Sequence, residues 1–185
     1  EHKDFDDYPH CKSLLFRQCR VGIVNRDDSH WEAVTKDCTC RLETYGIDTA
    51  ADLRAENITF LNEGGSLGMC FTASGLTELS VKTASPGKFN VYNALTAIAI
   101  CRHFGVDGAQ IQRALAAAKV KGRTETVRVS DEFTLMIDYA HNAMALKSLL
   151  ETLRAYNPHR LVCLFGCGGN RAKSRRYEMG EVSGR

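Results

Sequence analysis

The chain has 185 residues, 44% of them hydrophobic and 25% charged, a globular composition with enough apolar residues for one sizeable core or two small ones. Its 24 basic and 22 acidic residues leave a formal net charge of +2, which argues against the basic excess of a nucleic-acid-binding surface but leaves local Arg and Lys for a phosphorylated small molecule. No apolar run approaches the roughly 20 residues that span a bilayer, and the eight cysteines sit mostly singly in apolar stretches, as reduced thiols pack, so a cytoplasmic protein without membrane insertion is expected.

The opening Glu1-His-Lys-Asp4 has no signal-peptide character. Residues 11–16 read as a short amphipathic helix. Residues 21–24 read as a buried strand, closed by Asn25-Arg-Asp-Asp28, a turn-forming cluster. A second helix is predicted over 30–36. Cys38-Thr-Cys40 is the only close cysteine pair and lacks the second pair or histidines of a zinc site, so a structural role is expected. From 41 to 80 the pattern changes to short β-like runs: 58–61 and 69–72 flank Asn62-Glu-Gly-Gly65, and 76–82 alternates in period two, which suggests a hairpin or meander.

Residues 85–90 read as a loop that leads into an Ala-rich helix over 91–104, stopped by Gly105. Asp107 is placed to cap a helix over 108–119. Lys121-Gly-Arg123 breaks the pattern, dividing the chain into units 1–121 and 122–185. Beyond it come a strand pair (126–129 and 134–137), a helix over 143–156, a strand over 160–165 and a Gly-rich turn. That order predicts an α/β layer with a mostly parallel sheet. Both ends read as cut, with no initiator Met and a helical pattern still running at the last residue, so a fragment is expected.

Three clusters could carry chemistry. Phe165-Gly-Cys-Gly-Gly-Asn-Arg171 follows an apolar run, where glycines let backbone N–H groups approach an anion. It is not a Walker A loop, since no G-x-x-x-x-G-K-[ST] occurs in the chain, and the bland alternative is a tight turn. Ile137-Asp-Tyr-Ala-His-Asn142 ends an apolar strand, the edge at which open α/β sheets bind ligands. Asp138 could fix a ribose or a basic residue, and His141 could donate to phosphate oxygens or stack on a base. Against this, Asn142 could be a helix cap beside a structural histidine. Finally, His2 with nearby carboxylates and Lys12 is a thin metal-ligand set.

In this order the clusters resemble the Mur ligase family, and among its branches the members that make the muramoyl tripeptide. Pro86-Gly-Lys-Phe-Asn-Val-Tyr-Asn93 is similar to the family's G-x-F-N-x-x-N helix start, and Gly122-Arg-Thr-Glu125 to its G-R-x-E hinge. Asp138-Tyr-Ala-His141 matches D-Y-A-H, while residues 165–171 with Arg176-Tyr-Glu-Met-Gly180 look like F-G-C-G-G-D-R…K-R-P-x-M-G. The resemblance implies the remainder of a central ATP-binding domain followed by the start of a Rossmann-like C-terminal domain. It further implies an ATP-dependent monomer that adds a diamino acid, diaminopimelate or lysine, to UDP-N-acetylmuramoyl-dipeptide through an acyl phosphate.

By position, the resemblance puts Asn90 and Asn93 near the adenine, Arg123 on the phosphates after domain closure, and Asp138 with His141 in the nucleotide site. His2 matches a Mg²⁺-binding histidine, and Lys12 a lysine carbamylated by carbon dioxide. The modification matters, because an ammonium about 4 Å from Mg²⁺ would be repelled by roughly 8 kcal/mol at an effective dielectric of ~20, whereas a carbamate supplies the oxygens that Mg²⁺ prefers. Departures are Glu1 for Asp, Asn142-Ala143 for Thr-Pro, Asn170 for Asp, Lys121 for Pro, and a shorter stretch from His2 to Lys12. The P-loop and the UDP-binding domain are expected outside these residues, so the chain alone should not hydrolyse ATP. A folylpolyglutamate- or cyanophycin-synthetase-type ligase, or a non-catalytic nucleotide-binding module, are the competing readings. A Rossmann dehydrogenase lacks its G-x-G-x-x-G fingerprint here.

Overall fold

The computed structural model describes residues 7–168 and 173–184. Helix α1 (Asp7–Phe16) precedes β1 (Val21–Asn25), α2 (Trp31–Thr35) and β2 (Arg41–Gly46). Then come β3 (Leu53–Glu63), β4 (Ser66–Gly75) and β5 (Leu79–Thr83). One five-stranded sheet results, in the order β1-β2-β3-β4-β5. Its first three strands run parallel and its last three antiparallel. The hairpin expected around Asn62-Glu-Gly-Gly65 is β3–β4. Its two-residue tip, Gly64-Gly65, has φ of 57° and 81°, the left-handed conformation that a tight hairpin turn requires and glycine supplies at least cost.

Helix α3 (Lys88–His103) covers the sheet. Val91, Ala94, Leu95, Ile98 and Ala99 follow the i, i+3, i+4, i+7, i+8 spacing of one helical face, and all are buried. They meet Leu53, Ala55, Met69, Phe71, Ala73, Leu79 and Val81 from the sheet. The helix begins three residues earlier than its apolar pattern implied. Gly87, at φ 100°, turns the chain, and Asn90 already donates its N–H to Gly87 O at 2.9 Å. A side chain at Gly87 would strike Phe89 at 2.7 Å and Thr152 at 3.0 Å, so this turn is also where the C-terminal part packs in. Helix α4 (Gly108–Ala117) is capped by Asp107, whose carboxylate accepts from Ala109 N and Gln110 N while the Gln110 side chain accepts from Asp107 N.

The C-terminal part contains β6 (Glu125–Val127), β7 (Leu135–Ile137), α5 (Ala143–Arg154) and α6 (Ser174–Ser183). Leu146, Leu150 and Met179 form a second, smaller core. Two expectations are corrected here. Strands β6 and β7 pair antiparallel, not parallel. Residues 160–165 run without regular structure. Leu161 and Cys163 do turn inward onto the α5–α6 core, while Val162 and Leu164 are 71% and 98% exposed. The alternation is therefore that of a strand, but a strand is defined by its ladder, and no neighbouring strand lies beside this segment among the described residues.

Tyr156, just past the end of α5, is one of the contacts between the two parts. Its hydroxyl donates to Gly68 O on β4, and its ring stands edge-on to Phe60 at 5.0 Å. Burial pushes the Tyr156 phenol up to about 12, with the Cys70 charge adding to it. No helix among the described residues is long and apolar enough to cross a membrane.

Candidate nucleotide site

The first turn of α3 and the hinge segment meet. Asn90 donates its side-chain amide to Pro86 O at 2.7 Å and reaches Thr124 Oγ1 at 3.4 Å, while Asn93 donates to Asn90 Oδ1 at 3.3 Å. Asn90 is half-buried and already engaged, whereas Asn93 presents its amide to solvent. Thr124 is 4% exposed and sits at φ 41°, a conformation a β-branched residue adopts only under constraint. Its constraint is visible on both sides: the Asn90 amide on the side chain, and Asp138 Oδ2, which accepts the Thr124 N–H at 2.7 Å. The hinge is shaped further by Glu125, whose carboxylate accepts Gly122 N at 2.7 Å.

Burial alternates residue by residue along Asp138-Tyr-Ala-His141, the pattern in which successive side chains face opposite ways. Asp138 and Ala140 turn inward. Asp138 Oδ1 accepts Ala140 N at 2.7 Å, and Ala140 packs on the second core. Tyr139 and His141 turn outward, with their rings 5.0 Å apart, and the Arg123 guanidinium lies 4.6 Å over the Tyr139 ring. His141 Nδ1 is 3.1 Å from Tyr139 O. An exposed Arg–Tyr–His stack thus borders the hinge. Tyr139 was not singled out as a ligand-facing residue in the sequence, yet its two-residue spacing from His141 was the available signal. Asn142 is the helix cap, accepting Ala145 N at 2.8 Å, which satisfies one of the helix's otherwise unpaired N–H groups.

A second polar centre lies at the carboxyl ends of β1 and β2, where the sequence indicated only a turn. Asp27 accepts from Ile47 N (2.6 Å), Asp48 N (3.0 Å), Thr49 N (2.8 Å), Thr49 Oγ1 (2.5 Å) and Tyr92 Oη (2.9 Å). Burial acts to raise its carboxyl, but the hydrogen bonds from Thr49, Ile47, Asp48 and Tyr92 outweigh it and hold the group well below the usual carboxylate range. Burial and the Asp27 contact push the Tyr92 phenol up in turn. Tyr92 stands on α3 between Asn90 and Asn93, so Asp27 ties that helix to the loop after β2. Lys88 pairs with Asp48 at 2.6 Å beside it. The carboxylates clustered after a buried strand were the sequence signal.

Lys12 is exposed on α1. His2 lies outside the described residues, as do Gly169, Asn170 and Arg171 of the Gly-rich segment. Among the described residues no group of three His, Cys, Asp or Glu is placed to hold a metal ion. A cavity of ≈ 280 Å³ opens at the hinge, lined by Leu61, Lys82, Lys119, Arg123, Thr124 and Glu125 among others.

Residues 1–101 match the family model for the Mur ligase middle domain, and residues 122–185 match that for the Mur ligase glutamate ligase domain. UDP-N-acetylmuramoyl-L-alanyl-D-glutamate–2,6-diaminopimelate ligase 1 of Clostridium acetobutylicum is 38% identical over 184 residues, 98% of this chain and 38% of the relative. The ligase 2 of the same organism is 36% identical over 185 residues, all of this chain and 38% of the relative. A solved structure of a UDP-N-acetylmuramoyl-L-alanyl-D-glutamate–2,6-diaminopimelate ligase superposes with a TM-score of 0.70 at 25% identity, over 99% of this chain and 39% of the other. The chain therefore spans under two-fifths of the length of the relatives it matches.

Proposed function

The chain belongs to the Mur ligase family, and from that premise we propose that it supplies part of the nucleotide site of an ATP-dependent ligase, a cytoplasmic monomer, that adds 2,6-diaminopimelate to UDP-N-acetylmuramoyl-L-alanyl-D-glutamate. One observation carries this reading. A continuous run of contacts leads from Asn93 through Asn90 and Thr124 to Asp138, joining the middle-domain and C-terminal stretches beside the hinge. The substrates follow the names of the relatives.

In this reading the exposed Asn93 amide offers a donor and an acceptor to an adenine edge. Asn90 and Asp138 act as positioning residues, because their polar atoms are spent on the hinge. Tyr139 and His141 offer flat faces for stacking, and Arg123 brings a positive charge to the phosphates. The chemistry assigned to the whole ligase is attack of the dipeptide carboxylate on the γ-phosphorus of ATP, with ADP leaving. The diaminopimelate amine then displaces phosphate from the acyl phosphate. The protein's contribution is alignment and charge neutralisation.

For Mg²⁺, the family resemblance points to Lys12, whose charge suits the ion in one form only. Lys12 as an ammonium repels the ion, and as a carbamate it offers oxygens. We therefore assign Lys12 to the metal as its carbamate, alongside His2.

The deciding experiment uses the intact gene product. Phosphate release from ATP should require UDP-N-acetylmuramoyl-L-alanyl-D-glutamate and diaminopimelate together. Release that depends instead on a folate substrate, or that needs no nucleotide-linked peptide, would overturn the assignment. The 185-residue chain by itself should release no phosphate.

A further inference from the structure

Cys19 lies in the turn between α1 and β1, and Cys38 and Cys40 lie in the turn between α2 and β2. Strands β1 and β2 are parallel with Val21 opposite Arg41, and Arg41 N–H donates to Arg20 O at 3.1 Å. The pairing thus reaches back to Arg20 beside Cys40, and Cys19 becomes the diagonal neighbour of Cys40. Strands spaced about 4.8 Å apart put such Cα atoms roughly 5–6 Å from each other, inside the span that a disulfide bridges. The Cys40 sulfur folds over Gly22, where a Cβ would come within 2.9 Å of it. The same Cβ would meet the Phe16 ring at 2.6 Å, so Cys40 points to the side on which α1 and its following turn pack.

The neighbourhood shows in the Cys40 thiol. It is pushed up to about 11, first by burial, then by a hydrogen bond to Cys19 and by the charges of Cys19 and Cys38. Of the other two, Cys19 is the one that the strand register sets across from Cys40, one residue along. All three thiols are half-buried, which leaves room for a small oxidant. The sequence pair Cys38-Thr-Cys40 lacked a third thiol, and the fold provides it from 21 positions upstream of Cys40.

We propose that Cys19 and Cys40 form a dithiol site that a hydroperoxide closes to a disulfide and a thiol reductant reopens. The Cys19 sulfur displaces alcohol (or water) from the peroxide as the O–O bond breaks, leaving a sulfenic acid. The Cys40 sulfur then attacks that sulfur. The S–O bond breaks, and the hydroxyl leaves as water with the Cys40 proton. Two thiols lose two electrons, and the peroxide takes them. The site is independent of the ligase reading.

The test is direct, since trypsin cuts at Arg17, Arg20, Lys36 and Arg41 and isolates Cys19 on one short peptide and Cys38 with Cys40 on another. The folded chain is treated with hydrogen peroxide, blocked with N-ethylmaleimide, digested and analysed by mass spectrometry. The expected result is a loss of two titratable thiols out of eight, with the two peptides linked and the link cut by dithiothreitol. The link should persist in Cys38→Ser and vanish in Cys40→Ser. Loss of the link in Cys38→Ser would overturn the pairing. So would an unlinked Cys19 after oxidation, or equal linkage in 8 M urea, where the fold cannot align the strands.

Discussion

Thr124 donates its backbone N–H to Asp138 Oδ2 at 2.7 Å from a left-handed conformation, φ 41°. Holding a β-branched residue there costs about 1–3 kcal/mol, so the contact has to be supported from outside the hinge. Asp138 does this with one oxygen while the other fixes Ala140 N. Asp138→Ala would leave the N–H of a residue only 4% exposed without its partner. The expected loss of stability is about 1–3 kcal/mol, read from urea denaturation. Under the proposed function, the same variant in the intact gene product should raise the nucleotide KM more than it lowers kcat.

Asp27 makes stability pH-dependent on the acid side. Its folded pKa is held well below the ordinary carboxylate range, so the stabilisation is fully present above about pH 5 and is lost as the pH falls through the unfolded value towards the folded one. Asp27→Asn should cost about 2–3 kcal/mol at pH 7 and progressively less towards pH 3. Urea midpoints of both proteins between pH 3 and 7 check this, and parallel curves would contradict it.

Glu43 is 7% exposed and lies among Arg41 (2.7 Å), Arg102 (3.5 Å) and His103 (2.9 Å). It ties β2 to the last turn of α3, where cations also favour the helix dipole. Glu43→Ala should destabilise by about 2–4 kcal/mol, since it strands charges around a buried position. Glu43→Gln, which keeps the acceptor oxygen, should cost less. Thermal denaturation separates the two.

Arg123 and Tyr139 carry the prediction closest to the proposed chemistry. Removing the guanidinium in Arg123→Ala should lower kcat of the intact ligase by about 10²–10³-fold, as for other groups that meet transition-state charge. Tyr139→Leu removes only an exposed cation–π contact worth about 0.5–1 kcal/mol, so a change of a few-fold in nucleotide KM is expected. Equal effects from both variants would mean that Arg123 is merely held by the ring and meets no phosphate.

Carbamylation of Lys12 is checked without turnover. Incubation with ¹³C-labelled bicarbonate should give a carbamate carbon signal by NMR that Lys12→Arg lacks. An identical spectrum from the variant would remove Lys12 from the metal assignment.

What the order of residues determined by itself is local. The buried stripe of α3, the Asp107 and Asn142 caps, the Gly64-Gly65 hairpin tip and the family motifs all depend on neighbours within a few positions, and each could be read before any coordinates. Tertiary structure alone decided the long-range contacts. Asn90 meets Thr124 34 residues away, Asp27 meets Tyr92 65 residues away, and Cys19 arrives beside Cys40. It also decided that residues 160–165, patterned as a strand, remain unpaired among the described residues. Periodicity states which side of a segment is apolar. Which partner completes its hydrogen bonds depends on packing among distant segments, and that information exists only once the chain has closed on itself.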